Sequence, residues 1–282
     1  MESRGHLTRV IAVSGGKGGV GKTSVSVNLG IALAGLGRRV VLLDADLGLA
    51  NVDIMLGLRP QHNLAEVMDG QVELPEILVE TGFERFRVVP GASGIQKMAA
   101  LSPAEHAGLV YAFSELGNDT DILIVDTAAG ISDSTISFCA AAHEVLIVLC
   151  NDPASLTDAY ALIKILSQER GCHRFRVLTN MVHSAAEGRQ LYNKLVAVAD
   201  RYLDVTLDHV GTIPRDLNMQ RAVRRQQPLP RAYPGSPATA AFKKLAERAD
   251  NWSTPRRPSG GMQFFVEQLV GGEAGLERRA RA

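Results

Sequence analysis

An apolar run from Arg9 to Ser14 leads into Gly16-Lys17-Gly18-Gly19-Val20-Gly21-Lys22-Thr23, and a helix-compatible stretch follows from Thr23 to Leu36. No other feature narrows the fold so far. A GxxxxGK[ST] segment between a strand and a helix curls backbone N–H groups around phosphate oxygens, and the start of the helix adds favourable partial charge. Lys22 is spaced to meet the outer phosphates and Thr23 to ligate Mg²⁺, with Ser24 beside it in the first helical turn.

The rest of the chain agrees with that unit. Short β-branched runs (Arg39 to Leu43, Phe86 to Val89, Asp121 to Val125, Glu144 to Cys150, Phe175 to Thr179, His209 to Ile213) alternate with helical patterns at Pro103 to Leu116, Leu156 to Gln168 and Glu187 to Leu203. Several strands are apolar on successive residues and need cover on both faces. The expected fold is therefore α/β: a doubly wound, mostly parallel sheet flanked by helices. Thirty basic and thirty acidic residues cancel and 46% of the chain is hydrophobic, which excludes wholesale disorder and any coating of nucleic acid through net charge. No apolar run reaches the ~18 residues of a membrane span, and a cytosolic protein is expected. Cys139, Cys150 and Cys172 lack the spacing of a disulfide or metal framework and read as small hydrophobes.

Two further segments carry acids at strand ends, where a doubly wound sheet opens its ligand crevice. Asp44-Ala-Asp46 closes the second strand and leads to Asn51. Ile122-Leu-Ile-Val-Asp126 closes another, with Gly130 shortly after, a Walker B-like layout. An acid so placed can accept hydrogen bonds from Mg²⁺-bound water, and Gly130 can bring its amide to a γ-phosphate. Turn-forming aspartates are the plainer reading at all three acidic positions.

Lys17 is not required by an ordinary phosphate loop. The spelling KGGVGKT resembles the deviant Walker A ATPases, the MinD/ParA family that also includes the nitrogenase iron protein. The resemblance covers about residues 9–250 and implies ATP and Mg²⁺ as cofactors, with slow hydrolysis to ADP and phosphate. It implies an ATP-bound homodimer in which Lys17 reaches the partner subunit's phosphates. It also implies that Asp46 positions the attacking water, that Asp44 and Asp126 lie near the metal with Thr23, and that Asn51 belongs to a dimer-facing switch. Asn180, after FRVLT, falls where the family places an asparagine against adenine, and Pro214 falls in its second base-contacting loop. A loop asparagine closing a turn remains the alternative for Asn180.

Within the family, DADLGLANVDIMLGL, VDTAAGISD and TDAYALIK look like the flagellar-number regulators of the FlhG/FleN group. That branch implies an antiactivator whose partners are a flagellar transcription activator and an FlhF-like GTPase. The residues MESRGHLT before the first strand contain no DQAxxLR-type helix, so stimulation of the GTPase is not expected through that route. Cell-division-site and DNA-partition positioning ATPases are the competing branches. Partition would need a basic surface, and the best stretch is Arg221, Arg224, Arg225 and Arg231; direct DNA binding is not expected.

Composition changes after about residue 250. Residues 251–261 read as a linker, and residues 262–282 as an amphipathic helix and tail, with Met262, Phe265, Val266, Leu269 and Val270 on one face. Arginines flank the stripe, so reversible peripheral contact with the inner face of the cell membrane is expected through this helix, with docking on the protein itself as the alternative.

Overall fold

The computed structural model describes residues 8–46, 51–91, 113, 116 and 119–252. In chain order the elements are β1 (Arg9–Ser14), α1 (Lys22–Gly35), β2 (Val40–Ala45), α2 (Val52–Leu56), α3 (Leu64–Met68), β3 (Val79–Phe83), β4 (Phe86–Val89), β5 (Ile122–Thr127), α4 (Asp133–Ala141) and β6 (Glu144–Cys150). They continue with α5 (Pro153–Arg170), β7 (Arg174–Val182), α6 (Ala185–Tyr202), β8 (Thr206–Pro214), α7 (Leu217–Arg224), α8 (Leu229–Ala232) and α9 (Pro237–Asp250). The eight strands form one sheet in the order β3-β4-β2-β5-β1-β6-β7-β8. All neighbours are parallel except β3 on β4.

The expected doubly wound sheet is present, and its first winding runs β1, α1, β2. Consecutive apolar residues in β1, β2, β5 and β6 are buried because helices cover both faces. On one face α1 and α9 pack over Ile11, Leu42, Ile124 and Val148 around Phe242 and Phe86. On the other, α4, α5 and α6 pack over Ala12, Ile147 and Val177 around Phe175. Each fully buried side chain of this size contributes ~1.5–3 kcal/mol. β1 sits at the point where the winding reverses, so the loop after it opens at the carboxyl edge of the sheet.

At the opposite edge the structure is tied shut. Arg9 Nη1 donates to the carbonyls of Ala249 (2.8 Å) and Trp252 (2.9 Å), which caps the end of α9. Arg176 donates to both oxygens of Glu144, at 2.8 and 3.1 Å, and its guanidinium stacks 5.1 Å from the Trp252 ring.

Some expectations shift. β7 runs on to Val182, so Asn180 lies within a strand and not after one. Strand β3, an edge hairpin with a register shift between Glu80 and Phe83, and the short helices α2, α3, α7 and α8 carry too few periodic residues to be read from sequence. Of the helix expected at Pro103 to Leu116, the described Phe113 and Leu116 are helical and buried. The linker and the amphipathic stretch lie outside the described residues, Asn251 and Trp252 excepted.

Candidate functional site

The phosphate loop is shaped by two close approaches. A Cβ on Gly16 would lie 2.2–2.5 Å from the backbone and Cβ of Asp158 on α5, and one on Gly21 would lie 2.6 Å from the Asn180 amide nitrogen. Gly21 also has φ +90°, the left-handed turn that redirects the chain into α1. Lys22, the first residue of α1, is only 8% exposed. Burial lowers the pKa of its ammonium group, with Asp126 and then Asp46 pulling the other way.

Strands β2 and β5 set Asp44 directly opposite Asp126. Burial pushes the Asp126 carboxyl up to about 7, and the nearby Asp44 charge adds to the rise. The Thr23 hydroxyl is hydrogen-bonded to this carboxylate, and Ser26 Oγ donates to it at 2.9 Å. Thr23 and Asp126 thus join a hydroxyl and a costly buried carboxylate, a donor set suited to Mg²⁺, which keeps several waters and takes few protein ligands. Among the described residues no group of three or more His, Cys, Asp or Glu is placed to hold a metal ion.

Asp44 is held differently. Its oxygens accept from the backbone N–H groups of Asp46 (3.2 Å) and Val52 (3.3 Å), so it pins both ends of the loop between β2 and α2. Burial raises its pKa to about 6. Asp44, expected near the metal, thus stands opposite Asp126 on the neighbouring strand while its carboxylate oxygens also anchor the loop backbone. Asp46 is half-buried at the mouth, and Asn51 is exposed where α2 begins. Gly130, at φ +94°, donates its N–H to the Gly15 carbonyl at 3.4 Å, and this brings the loop after β5 against the phosphate loop.

Asn180 and Pro214, 34 residues apart, meet in one pocket of about 400 Å³ lined also by Gly21, Ser24, Cys150 and Met181. Asn180 Nδ2 donates to the Val20 carbonyl (2.8 Å), and Oδ1 accepts from the Met181 N–H (2.9 Å). An amide has two hydrogens and two lone pairs, so one of each remains for a ligand edge. Asn180 therefore also fastens the phosphate loop to β7.

The sequence reading missed several groups. Asp216 caps α7 through the Asn218 N–H (2.8 Å) and accepts from Ser236 Oγ (2.5 Å), which ties the loop after Pro214 to the start of α9. Lys17 Nζ donates to Asp152 Oδ2 at 2.9 Å, and this contact raises the lysine's pKa and lowers the aspartate's. Asp152 is the N-cap of α5, accepting from the N–H groups of Ala154 and Ser155 ahead of Pro153 at the first helical position. Asp-Pro before an apolar helix was the available signal.

The basic stretch also resolves into parts. Arg231 stacks 4.3 Å from the Phe83 ring and donates to the Gly82 carbonyl, and Arg225 stacks 5.7 Å from Tyr233. These two join α8 to its neighbours, and all four arginines remain exposed. Cys139 is buried, and its thiol is pushed up to about 12 by desolvation, as a small hydrophobe would be. No described helix is long and apolar enough to cross a membrane.

Comparison with known proteins agrees with this geometry. A family profile described as an AAA domain matches residues 8–172. The antiactivator FleN of Pseudomonas aeruginosa is 57% identical over 265 residues, 94% of each chain. The flagellum site-determining protein YlxH of Helicobacter pylori is 34% identical over 249 residues, 87% of this chain and 83% of that one. Among solved structures, the MinC:MinD cell division protein complex of Aquifex aeolicus superimposes with a TM-score of 0.70 at 28% identity, covering 90% of this chain and 100% of that one. With Lys17, Lys22, Asp46 and Asp126 gathered around one phosphate loop and relatives matched along nearly the whole length, the chain belongs to the MinD/ParA-type deviant Walker A ATPases, on the FlhG/FleN-like branch.

Proposed function

We propose that this chain is an ATP-driven dimerising switch that limits flagellar number by binding a flagellar transcription activator in its ATP-bound state and works with an FlhF-like GTPase. The single observation that carries the nucleotide part is the phosphate loop closed on Lys22, Thr23 and Asp126. Mg²⁺ supplies charge neutralisation at the transferred phosphate, with Thr23 and Asp126 as the residues that would hold it. Lys22 contacts the outer phosphates and Gly130 offers its amide at the γ-phosphate. Asn180, with one donor and one acceptor to spare, and the Pro214 loop receive the base. Asp46 orients the attacking water. Lys17 leaves Asp152 and crosses to the partner subunit's phosphates, a cation delivered in trans as an arginine finger is. Loss of the γ-phosphate releases the Asp46 and Gly130 loops, and the dimer separates.

The flagellar part is supported by the antiactivator FleN and the site-determining protein YlxH among its relatives. The amphipathic stripe at residues 262–270 adds reversible membrane contact, doubled in a dimer and so dependent on ATP. Size-exclusion chromatography with Mg²⁺·ATP tests the switch: wild type shifts to a dimer, Lys17→Ala stays monomeric while still binding nucleotide, and Asp46→Ala remains dimeric long after wild type has reset. A Lys17→Ala variant that dimerises as wild type does overturns the reading. Flagella counted in cells lacking the gene test the output, with an increased number expected.

A further inference from the structure

β8 is the last strand of the sheet, and among the described residues no strand pairs with its outer edge over Thr206–Pro214, where Tyr192 Oη donates to the Leu207 carbonyl (2.6 Å) and Arg248 to that of Val210. An open edge presents unpaired N–H and C=O groups that can accept another strand. Here the edge lies at the floor of a groove of about 390 Å³ between α6 on one face of the sheet and α9 on the other. Small residues, Ala185, Gly211, Ala240 and Ala241, keep that groove from filling. Its titratable lining is entirely basic or neutral: Arg189 from α6, Lys244 and Arg248 from α9, and His209 from β8 itself.

Two acids near this edge, Asp208 and Glu187, are already committed, while Glu247 of α9 lies outside the groove lining. Asp208 accepts from Arg174 and Arg176, and Glu187 from Asn151 and the His183 N–H. Among the described residues, none of Arg189, Lys244 and Arg248 has an acidic partner. Arg248 instead donates to the carbonyl of Val210 at 2.8 Å, where the register of β8 on β7 shifts, and His209 is stacked on Tyr192. Cations on both banks with main-chain groups between them call for a ligand that brings carboxylates and its own backbone together. A nucleic acid would satisfy the first demand only.

We propose that the outer edge of β8 is a docking site for an acidic, extended segment of a partner protein, which adds as a further strand with its carboxylates against Arg189 on one side and Lys244 on the other. Nine residues of β8 leave room for an added strand of roughly five or six residues. Pro214 lines both this groove and the base pocket, so the docked segment lies beside the nucleotide site. The inference rests on the edge and its charges and stands apart from the dimer switch.

The test uses the full chain and a fluorescein-labelled ten-residue peptide in which Glu alternates with Val or Thr. Fluorescence anisotropy should report binding that weakens roughly tenfold in the Arg189→Glu/Lys244→Glu double variant and less in Lys244→Ala alone, with ATP binding unchanged in both. Hydrogen exchange with peptide present should slow at the amides of residues 206–214. Absence of binding, equal binding by the double variant, no added protection along β8, or tighter binding of a single-stranded oligothymidylate of equal charge would each overturn the proposal. So would self-association of the double variant without peptide binding by wild type, which would make the cations a guard against edge-to-edge pairing.

Discussion

The phosphate loop carries two lysines five residues apart, and its inner and outer banks treat them oppositely. Lys22 is 8% exposed beneath the loop; burial lowers its pKa and the neighbouring carboxylates offset part of that cost. Lys17 stands at the outer rim with its side chain 37% exposed, and it pairs with Asp152, which raises its pKa. An ammonium group that has lost its water and faces a carboxylate is committed to one place. One held by a single exposed contact can leave cheaply, because such pairs are screened by solvent. The loop therefore joins a buried cation with one held by a single solvent-screened contact, the difference on which the proposed trans role of Lys17 rests.

The comparison breaks first at Lys22. Lys22→Ala removes the contact to the outer phosphates, and ATP affinity should fall by ~10³-fold, since truncating one partner of a buried charged contact to a ligand costs ~2–5 kcal/mol of binding. Isothermal calorimetry with ATP·Mg²⁺ measures it. Lys17→Ala is the counterpart: affinity within about twofold of wild type in the same calorimeter, but a dimer dissociation constant weakened at least ~10-fold in light scattering with ATP. If both variants lost nucleotide affinity alike, the loop would hold two fixed cations and the contrast would be false.

Asp126 sharpens the inner half of the contrast through pH. Its carboxyl is raised to about 7 by burial, so the folded apo chain holds a proton there that the unfolded chain releases near the ordinary aspartate value. Stability should therefore fall as pH rises from about 4 to about 7 and level off above that. Asp126→Asn should shrink the dependence to the part that Asp44, raised to about 6, contributes between about pH 4 and 6, and raise apo stability at pH 8 by ~1–3 kcal/mol, read from urea unfolding, while Mg²⁺-dependent nucleotide binding is lost. An unchanged pH profile in the variant would mean that the buried carboxylate is not the titrating group.

Much of this arrangement was legible in the chain because phosphate chemistry fixes residue types at short spacings. The loop from Gly16 to Thr23, the strand ending at Asp126 and the run of parallel strands were written locally. What could not be read depended on packing between distant segments. The meeting of Asn180 with Val20 across 160 positions, the carboxylate of Asp216 bridging α7 and α9, and the backbone anchoring that turns Asp44 toward its loop are products of sheet order and register. Arg225 and Arg231 teach the same lesson: four basic residues in one stretch read as a patch, yet two of them lie on aromatic rings supplied by Tyr233 and Phe83. All four stay exposed, so the stretch keeps its charge, but the packing role of two of its members was not written in the charge count.

The smallest effect tests the outer half of the contrast. Asp152→Ala removes the only carboxylate hydrogen-bonded to Lys17 among the described residues, and also two N–H contacts at the start of α5. The cap loss should lower thermal stability slightly, which Asp152→Asn would spare because asparagine caps nearly as well while lacking the charge. Asn is therefore the informative variant. If Lys17 is parked there in the monomer, releasing it should favour the ATP-bound dimer by roughly two- to fivefold, the scale of an exposed ion pair, with nucleotide affinity unaltered. Titration of dimer formation against protein concentration, at low and high salt, reads this directly: wild type and Asp152→Asn should converge as salt screens the pair. A dimer weakened by Asp152→Asn would instead make the aspartate part of the assembled interface, and the outer lysine would then be guided by Asp152 and not merely held by it.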